Sequence, residues 1–178
     1  MIELEVESLG LDKASNTPVV ILREVGGDRL LPIWIGPGEA SAIAMELAGI
    51  KFSRPLTHDL LNTVMRSLGS ELVRVLISRV VDNTYYASLM IRRNGETITI
   101  DSRPSDSVAL ALRASAPIFA DVDLLDRTTV EVEGATLEPG FAGASSGAGT
   151  PEAEAGPPEK LRDYLKRLDP EDFGRFVP

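Results

Sequence analysis

The sequence predicts an α/β protein of the α+β type: a single compact domain with a mixed, largely antiparallel sheet and about three to four helices. Three observations predict this. Period-two strands follow one another across tight-turn signals at Gly26-Gly27, Asp82-Asn83 and Asn94-Gly95, which joins neighbours antiparallel rather than through crossovers. Amphipathic helical stripes separate and follow those hairpins. Neither GxGxxG nor a GxxxxGK phosphate loop is present, so the nucleotide cradles of doubly wound parallel folds are missing.

The elements follow in chain order. Ile2, Leu4 and Val6 alternate with Glu3, Glu5 and Glu7, a half-buried strand with an acidic outer face. Residues 18–25 and 29–35 are two more strands, with Gly26-Gly27 supplying the positive φ angles between them. Gly36-Pro37-Gly38-Glu39 opens a helix whose stripe is Ala40, Ile43, Ala44 and Leu47, with Gly49 as its stop. A second helix starts near Pro55 and is expected to bury Leu60, Leu61, Val64, Met65 and Leu68. Trp34, the only tryptophan, is expected to pack from its strand. Residues 72–81 and 84–92 read as long paired strands, and Asn94-Gly95 turns into a strand over 96–100. A third helix spans about 104–115, with a short strand expected at 116–120 and a short helix at 121–126. Residues 129–133 fit either type.

After Gly134 the composition shifts to Gly, Ala, Ser and Pro. Such a stretch cannot bury enough apolar surface to offset its ordering entropy. The organisation expected is therefore a domain at 1–133, a flexible linker at 134–158, and a short amphipathic helix and tail at 159–178 carrying Leu161, Tyr164, Leu165 and Leu168.

Composition narrows the chemistry. With 178 residues and 43% hydrophobic content, one sizeable core is within reach. The absence of cysteine excludes disulfides, thiolate metal sites and cysteine nucleophiles. No apolar run approaches the roughly 20 residues of a membrane span. The N-terminal stretch reads as strand rather than secretory signal, so a cytoplasmic protein with no membrane partner is expected. Net charge is −9, and residues 1–133 alone carry 19 acids against 13 bases. That argues against tight, non-specific nucleic-acid binding by charge, while leaving room for an enzyme that meets phosphate through a few arginines.

The most informative stretch is TITIDSRPSDSVALALRAS, residues 97–115. Asp101, Arg103 and Asp106 crowd one strand-to-helix junction. Ser102-Arg103-Pro104 there matches Ser53-Arg54-Pro55 before the second helix. Proline suits the first turn, free N–H groups at a helix start face anions, and arginine adds a bidentate phosphate donor. The plainer alternative is that each arginine pairs with a local acid, Asp59 or Asp106. Asp101 and Asp106 could converge on a divalent cation that activates water, with Asp59 or Glu39 as a further ligand. Against this, an acid in a helix's first turn is stabilised by the helix dipole alone. His58, the only histidine, is the natural proton carrier near neutral pH, although a lone histidine is more often structural.

At LPIWIGPGEASAIAMEL, RPLTHDLL and DSRPSDSVALALR the sequence resembles the bifunctional nuclease domain family of bacteria and plants. The resemblance covers about residues 1–133, with three linked motifs in order. It implies one compact α/β domain, a homodimer, and cleavage of both DNA and RNA. The tail ending KLRDYLKRLDPEDF is of a type familiar in that family.

The expectation is thus a nuclease of low sequence specificity that meets nucleic acid as a transient substrate. His58, Asp59, Asp101 and Asp106 are its candidate catalytic residues. Arg54, Arg103 and Ser105 would bind phosphate, and Asp101 and Asp106 would hold a divalent cation, magnesium or manganese. The rival expectation is a non-enzymatic dimeric module that binds an anion or a partner at the same helix starts.

Overall fold

The structure is a computed structural model, and it describes residues 1–12, 15–128 and 137–139. Strands β1 (Ile2–Asp12), β2 (Thr17–Glu24) and β3 (Leu30–Trp34) come first, then helices α1 (Pro37–Leu47) and α2 (Thr57–Ser67). Strands β4 (Ser70–Val81), β5 (Thr84–Arg93) and β6 (Glu96–Ser102) follow. The remaining elements are α3 (Pro104–Ala114), β7 (Ile118–Ala120), α4 (Val122–Thr128) and β8 (Leu137–Pro139). The strands lie in the order β3-β2-β1-β7-β4-β5-β6, with β8 also pairing β1. Neighbours are antiparallel except β4 and β7, which are parallel. This is the mixed, mostly antiparallel α+β sheet with four helices that the hairpin signals predict.

The turns form for the reasons read from sequence. Asp82 and Asn83 have φ of 48° and 59°, and Asn94 and Gly95 have 52° and 84°. Positive φ at both central residues is the type I′ geometry that matches strand twist. At the β2–β3 hairpin only Gly26, at 79°, is left-handed.

Helix α3 organises the core. Val108, Ala109, Leu110 and Ala111 are all buried, because the helix has neighbours on every side: α1, α2, β4 and β5. Its alanines let those neighbours come close. Beneath it lie Leu72, Val75 and Ile77 of β4 and Ala87, Leu89 and Ile91 of β5.

Two sequence expectations are corrected. In α2 only Met65 is buried, while Leu60, Leu61, Val64 and Leu68 are exposed. The helix meets α3 and β4 along one narrow edge, so the rest of its apolar stripe faces outward. Trp34 is also exposed, and its indole N–H donates to Asp12 Oδ2 at 3.1 Å. The tail helix expected at 159–178, the segment 129–133 and most of the expected linker lie outside the described residues. Residues 137–139 of that linker stretch pair with β1 as β8.

Candidate active site

Helices α1 and α3 start at the same end of the domain, and the first turn of α2 meets α3 from the side. Each helix carries an acid at its third position: Glu39, Asp59 and Asp106. First-turn carboxylates are stabilised by the free N–H groups and positive dipole of a helix start. Here they are also shared between helices.

Arg103, at the N-cap of α3, is the hub. Its Nε donates to Asp106 Oδ2 at 2.8 Å, Nη2 to Asp106 Oδ1 at 3.2 Å, and Nη1 to Glu39 Oε1 at 2.8 Å. Its side chain is nevertheless 65% exposed. A guanidinium carries five N–H donors, so one on each terminal nitrogen stays free. On the far side of Asp106, His58 Nε2 lies 3.2 Å from Oδ1. His58 is only 14% exposed, held between α2 and α3. The result is a continuous chain Glu39–Arg103–Asp106–His58 that links all three helices.

Burial opposes ionisation of Asp106. The hydrogen bonds from Arg103 and His58 outweigh it and hold the carboxyl below its ordinary value. Asp106 is therefore a carboxylate at neutral pH. It can accept Nε2–H of His58, which leaves Nδ1 as the imidazole's basic nitrogen.

The junction itself is pinned from beneath. Ser107 is fully buried, and its hydroxyl donates to the Arg103 carbonyl at 2.9 Å and lies 2.6 Å from Ser102 Oγ. Ser102 thus points toward α3. Successive strand residues point to opposite faces, so Asp101 points to the other face of the sheet, where it pairs in register with Ser88. The structure does not bring Asp101 together with Asp106, five residues on.

The remaining sequence candidates divide. Ser105 is 7% exposed at the second position of α3, two residues after Arg103. Arg54 is exposed, and no ion pair with it forms among the described residues. Asp59 turns away from the cluster: Oδ2 accepts the Leu56 N–H at 2.9 Å, and Oδ1 accepts Arg113 Nε at 2.5 Å.

The profile of the bifunctional nuclease domain matches residues 20–133. This chain belongs to the bifunctional nuclease domain family. An uncharacterized protein of Mycobacterium tuberculosis is 39% identical over 171 residues, 96% of this chain and 97% of its own length. Bifunctional nuclease 1 of Oryza sativa subsp. indica is 30% identical over 110 residues, 60% of this chain and 33% of its own length. Bifunctional nuclease 1 of Arabidopsis thaliana is 26% identical over 110 residues, 60% of this chain and 34% of its own length. The chain thus matches about a third of those plant proteins. All three motifs lie within the matched family domain or at its edge.

For this family member, one site residue and one pairing escaped sequence reasoning. Glu39 was legible as a first-turn acid, but its bond to Arg103 spans 64 positions. Arg113 was missed. It is 4% exposed, with Nη1 donating to the Ala109 carbonyl at 2.9 Å and Nη2 to the Ala42 carbonyl at 3.1 Å. It ties α1, α2 and α3 together. The available signal was its spacing: seven residues beyond Asp106, it shares a face of α3 with that acid, within an otherwise apolar run.

A divalent cation was tested against the donor set. Among the described residues, no group of three or more His, Asp and Glu is arranged to hold a metal ion. The oxygens of Asp106 already serve Arg103 and His58, and Asp101 faces the other way. No helix of the described residues is long and apolar enough to cross a membrane.

Proposed function

We propose that this chain is a nuclease that cleaves phosphodiester bonds in DNA and RNA with low sequence specificity, working at the Glu39–Arg103–Asp106–His58 cluster. The observation that carries the reading is the 3.2 Å contact between His58 and Asp106. It joins two motifs 48 residues apart into an oriented proton carrier beside an exposed arginine.

The roles follow from the chemistry. The free donors of Arg103 and the unpaired N–H groups at the start of α3 receive a phosphate oxygen. Ser105 adds a hydroxyl at the same helix start. Asp106 orients His58, whose Nδ1 takes the proton of a water as its oxygen bonds to phosphorus; the P–O bond to the leaving oxygen breaks, and that oxygen takes a proton from solvent. Glu39 and Asp106 keep Arg103 from swinging into solvent. Contacts of this kind address phosphate and not base edges, which gives low sequence specificity. Magnesium or manganese would have to compete with Arg103 and His58 for Asp106, so its requirement is a matter for the assay. We propose a homodimer as well, supported by the edge strand β6, exposed from Glu96 to Asp101, and by the exposed leucines of α2.

A second reading is favoured by the closed pairing of Arg103 with Glu39 and Asp106: an anion-binding module that does not cleave. Turnover separates the two. Stringently purified protein is assayed on single-stranded DNA and RNA with and without chelator, beside Asp106→Ala. Cleavage lost in the variant supports the nuclease. Equal cleavage in both preparations marks a contaminant and leaves the binding module.

A further inference from the structure

The face of the sheet opposite α3 carries a feature that the cluster does not use. Strand register assembles it. Arg74 pairs with Met90 and Met90 with Thr99; Phe119 pairs with Leu76, Leu76 with Ser88 and Ser88 with Asp101; Arg79 pairs with Tyr86. These side chains lie on the face away from Ala87, Leu89 and Ile91, which are buried under α3.

Two arginines there lie over aromatic rings instead of against carboxylates. Arg23, Arg29, Arg92, Arg103 and Arg113 each meet a carboxylate. Arg74 and Arg79 meet none among the described residues. Arg79 lies 4.4 Å from the centroid of the Tyr86 ring, and Arg74 lies 6.0 Å from that of Phe119. Arg79 is exposed, and Arg74, Tyr86, Met90 and Phe119 are half-buried. Arg74 Nε also donates to Met90 Sδ at 2.9 Å, and a guanidinium placed over a ring keeps its terminal N–H groups for phosphate. The acids on this part of the face are Glu71, paired with Arg92 at 2.6 Å, and Asp101 and Glu3, both exposed.

The register also says where the stripe leads. Ser102 ends β6 opposite Ala87. The next residues along are Tyr86 on β5 and Arg103 at the start of α3. The Arg79–Tyr86 stack therefore sits at the end of the sheet where the cluster begins.

We propose that this face is the track on which a single strand of nucleic acid lies, with phosphates on Arg74 and Arg79 and bases against the Tyr86 and Phe119 rings, leading to Arg103. The inference rests on the nuclease reading and names its substrate class. Flat aromatic and guanidinium surfaces serve unpaired bases. A duplex hides its base faces and leaves the rings without a role. The overall acidity is not an obstacle, because Arg74 and Arg79 offset Asp101 and Glu3 here, so this stripe does not share the net negative charge of the whole chain.

The test is fluorescence anisotropy with labelled 12-mers of single-stranded DNA and RNA, in chelator, and with a duplex of the same length. The proteins are wild type, Arg74→Gln with Arg79→Gln, Tyr86→Leu, and Arg23→Gln as a control on another part of the sheet. Wild type is expected to bind the single strand at least about five-fold tighter than the duplex. The double variant is expected to lose about ten-fold or more, and its log–log salt slope to fall by about 1.4, roughly 0.7 for each lost phosphate contact on a single strand. Tyr86→Leu is expected to lose about five-fold or more. Arg23→Gln should bind as wild type does. If the double variant does not melt like wild type, Arg74→Lys with Arg79→Lys serves, and should keep the slope while weakening binding. The proposal is overturned by unchanged affinity in both track variants, by duplex preference, or by no binding of wild type at millimolar oligomer. Cleavage by a track variant at the wild-type rate sinks the track and leaves the nuclease. Track-dependent binding without cleavage does the reverse.

Discussion

Replacing Arg113 with methionine should unfasten the three helices on which the cluster stands. The arginine is buried and hydrogen-bonded to Asp59, Ala42 and Ala109, with Glu46 Oε2 3.8 Å away. Removing one member of a buried ion pair costs about 3–5 kcal/mol, because the other charge is left uncompensated. Asp59 is 35% exposed, so water can take over part of the lost partner, and the lower end, about 3 kcal/mol, is expected. At roughly 3–4 °C per kcal/mol for a domain of this size, the thermal midpoint should fall by about 10 °C. Circular dichroism melts and urea titrations read this directly. A double-mutant cycle with Asp59→Asn should return a coupling of at least about 1.5 kcal/mol. A further readout is specific to the site. His58 is the only histidine, so its imidazole gives a single, unambiguous NMR cross-peak, which should shift and broaden in Arg113→Met and recover in Arg113→Lys. A midpoint within about 3 °C of wild type, or an unmoved His58 signal, would refute the idea that Arg113 positions the α2 start.

Acid should weaken the fold through the same carboxylates. Asp59 and Asp106 are both held below their ordinary values: burial opposes their ionisation, but hydrogen bonds from Leu56 N–H and Arg113 in one case, and from Arg103 and His58 in the other, prevail. A lowered native pKa means the unfolded chain takes up protons first, so this stabilisation is present above about pH 4 and is lost as pH falls through the native values. Urea midpoints should drop across that window, less steeply in Asp106→Asn. Deleting residues 140–178, which spares β8, should leave the thermal midpoint within about 3 °C; a larger loss would show that the tail packs on the domain. Sedimentation should report a dimer at micromolar concentration, and Ile98→Glu with Ile100→Glu, at two exposed apolar positions of the edge strand, should shift it to monomer.

What was legible in the sequence follows from local chemistry. Asn94-Gly95 and Asp82-Asn83 announce their hairpins because few residue pairs tolerate two positive φ angles. The crowding of Asp101, Arg103 and Asp106 announced a special junction. Two of those three do meet, and His58 joins them. Asp101 does not, because strand alternation, invisible until Ser102 is seen bonded to Ser107, sends it to the opposite face. The α2 stripe illustrates a different limit. Leu60, Leu61, Val64 and Leu68 have helical spacing, but spacing cannot reveal how much of a stripe a neighbour covers. Arg113, and the pairing of Glu39 with Arg103, were hidden because the partners are distant in sequence. The arginine–ring stacks on the open face were hidden likewise, since they depend on the registers of β4, β5 and β7.

The central claim is that His58, oriented by Asp106, moves a proton during phosphodiester cleavage. Its most direct test is the turnover of single-stranded RNA and DNA by His58→Asn, prepared in parallel with wild type and shown by melting to be folded. A proton carrier of this kind contributes about 10²–10⁴-fold, so kcat should fall by at least about 100-fold while the affinity for uncleaved oligomer stays within about three-fold. Wild-type turnover in folded His58→Asn would contradict the account and leave the cluster as a salt-bridged clasp between helix starts.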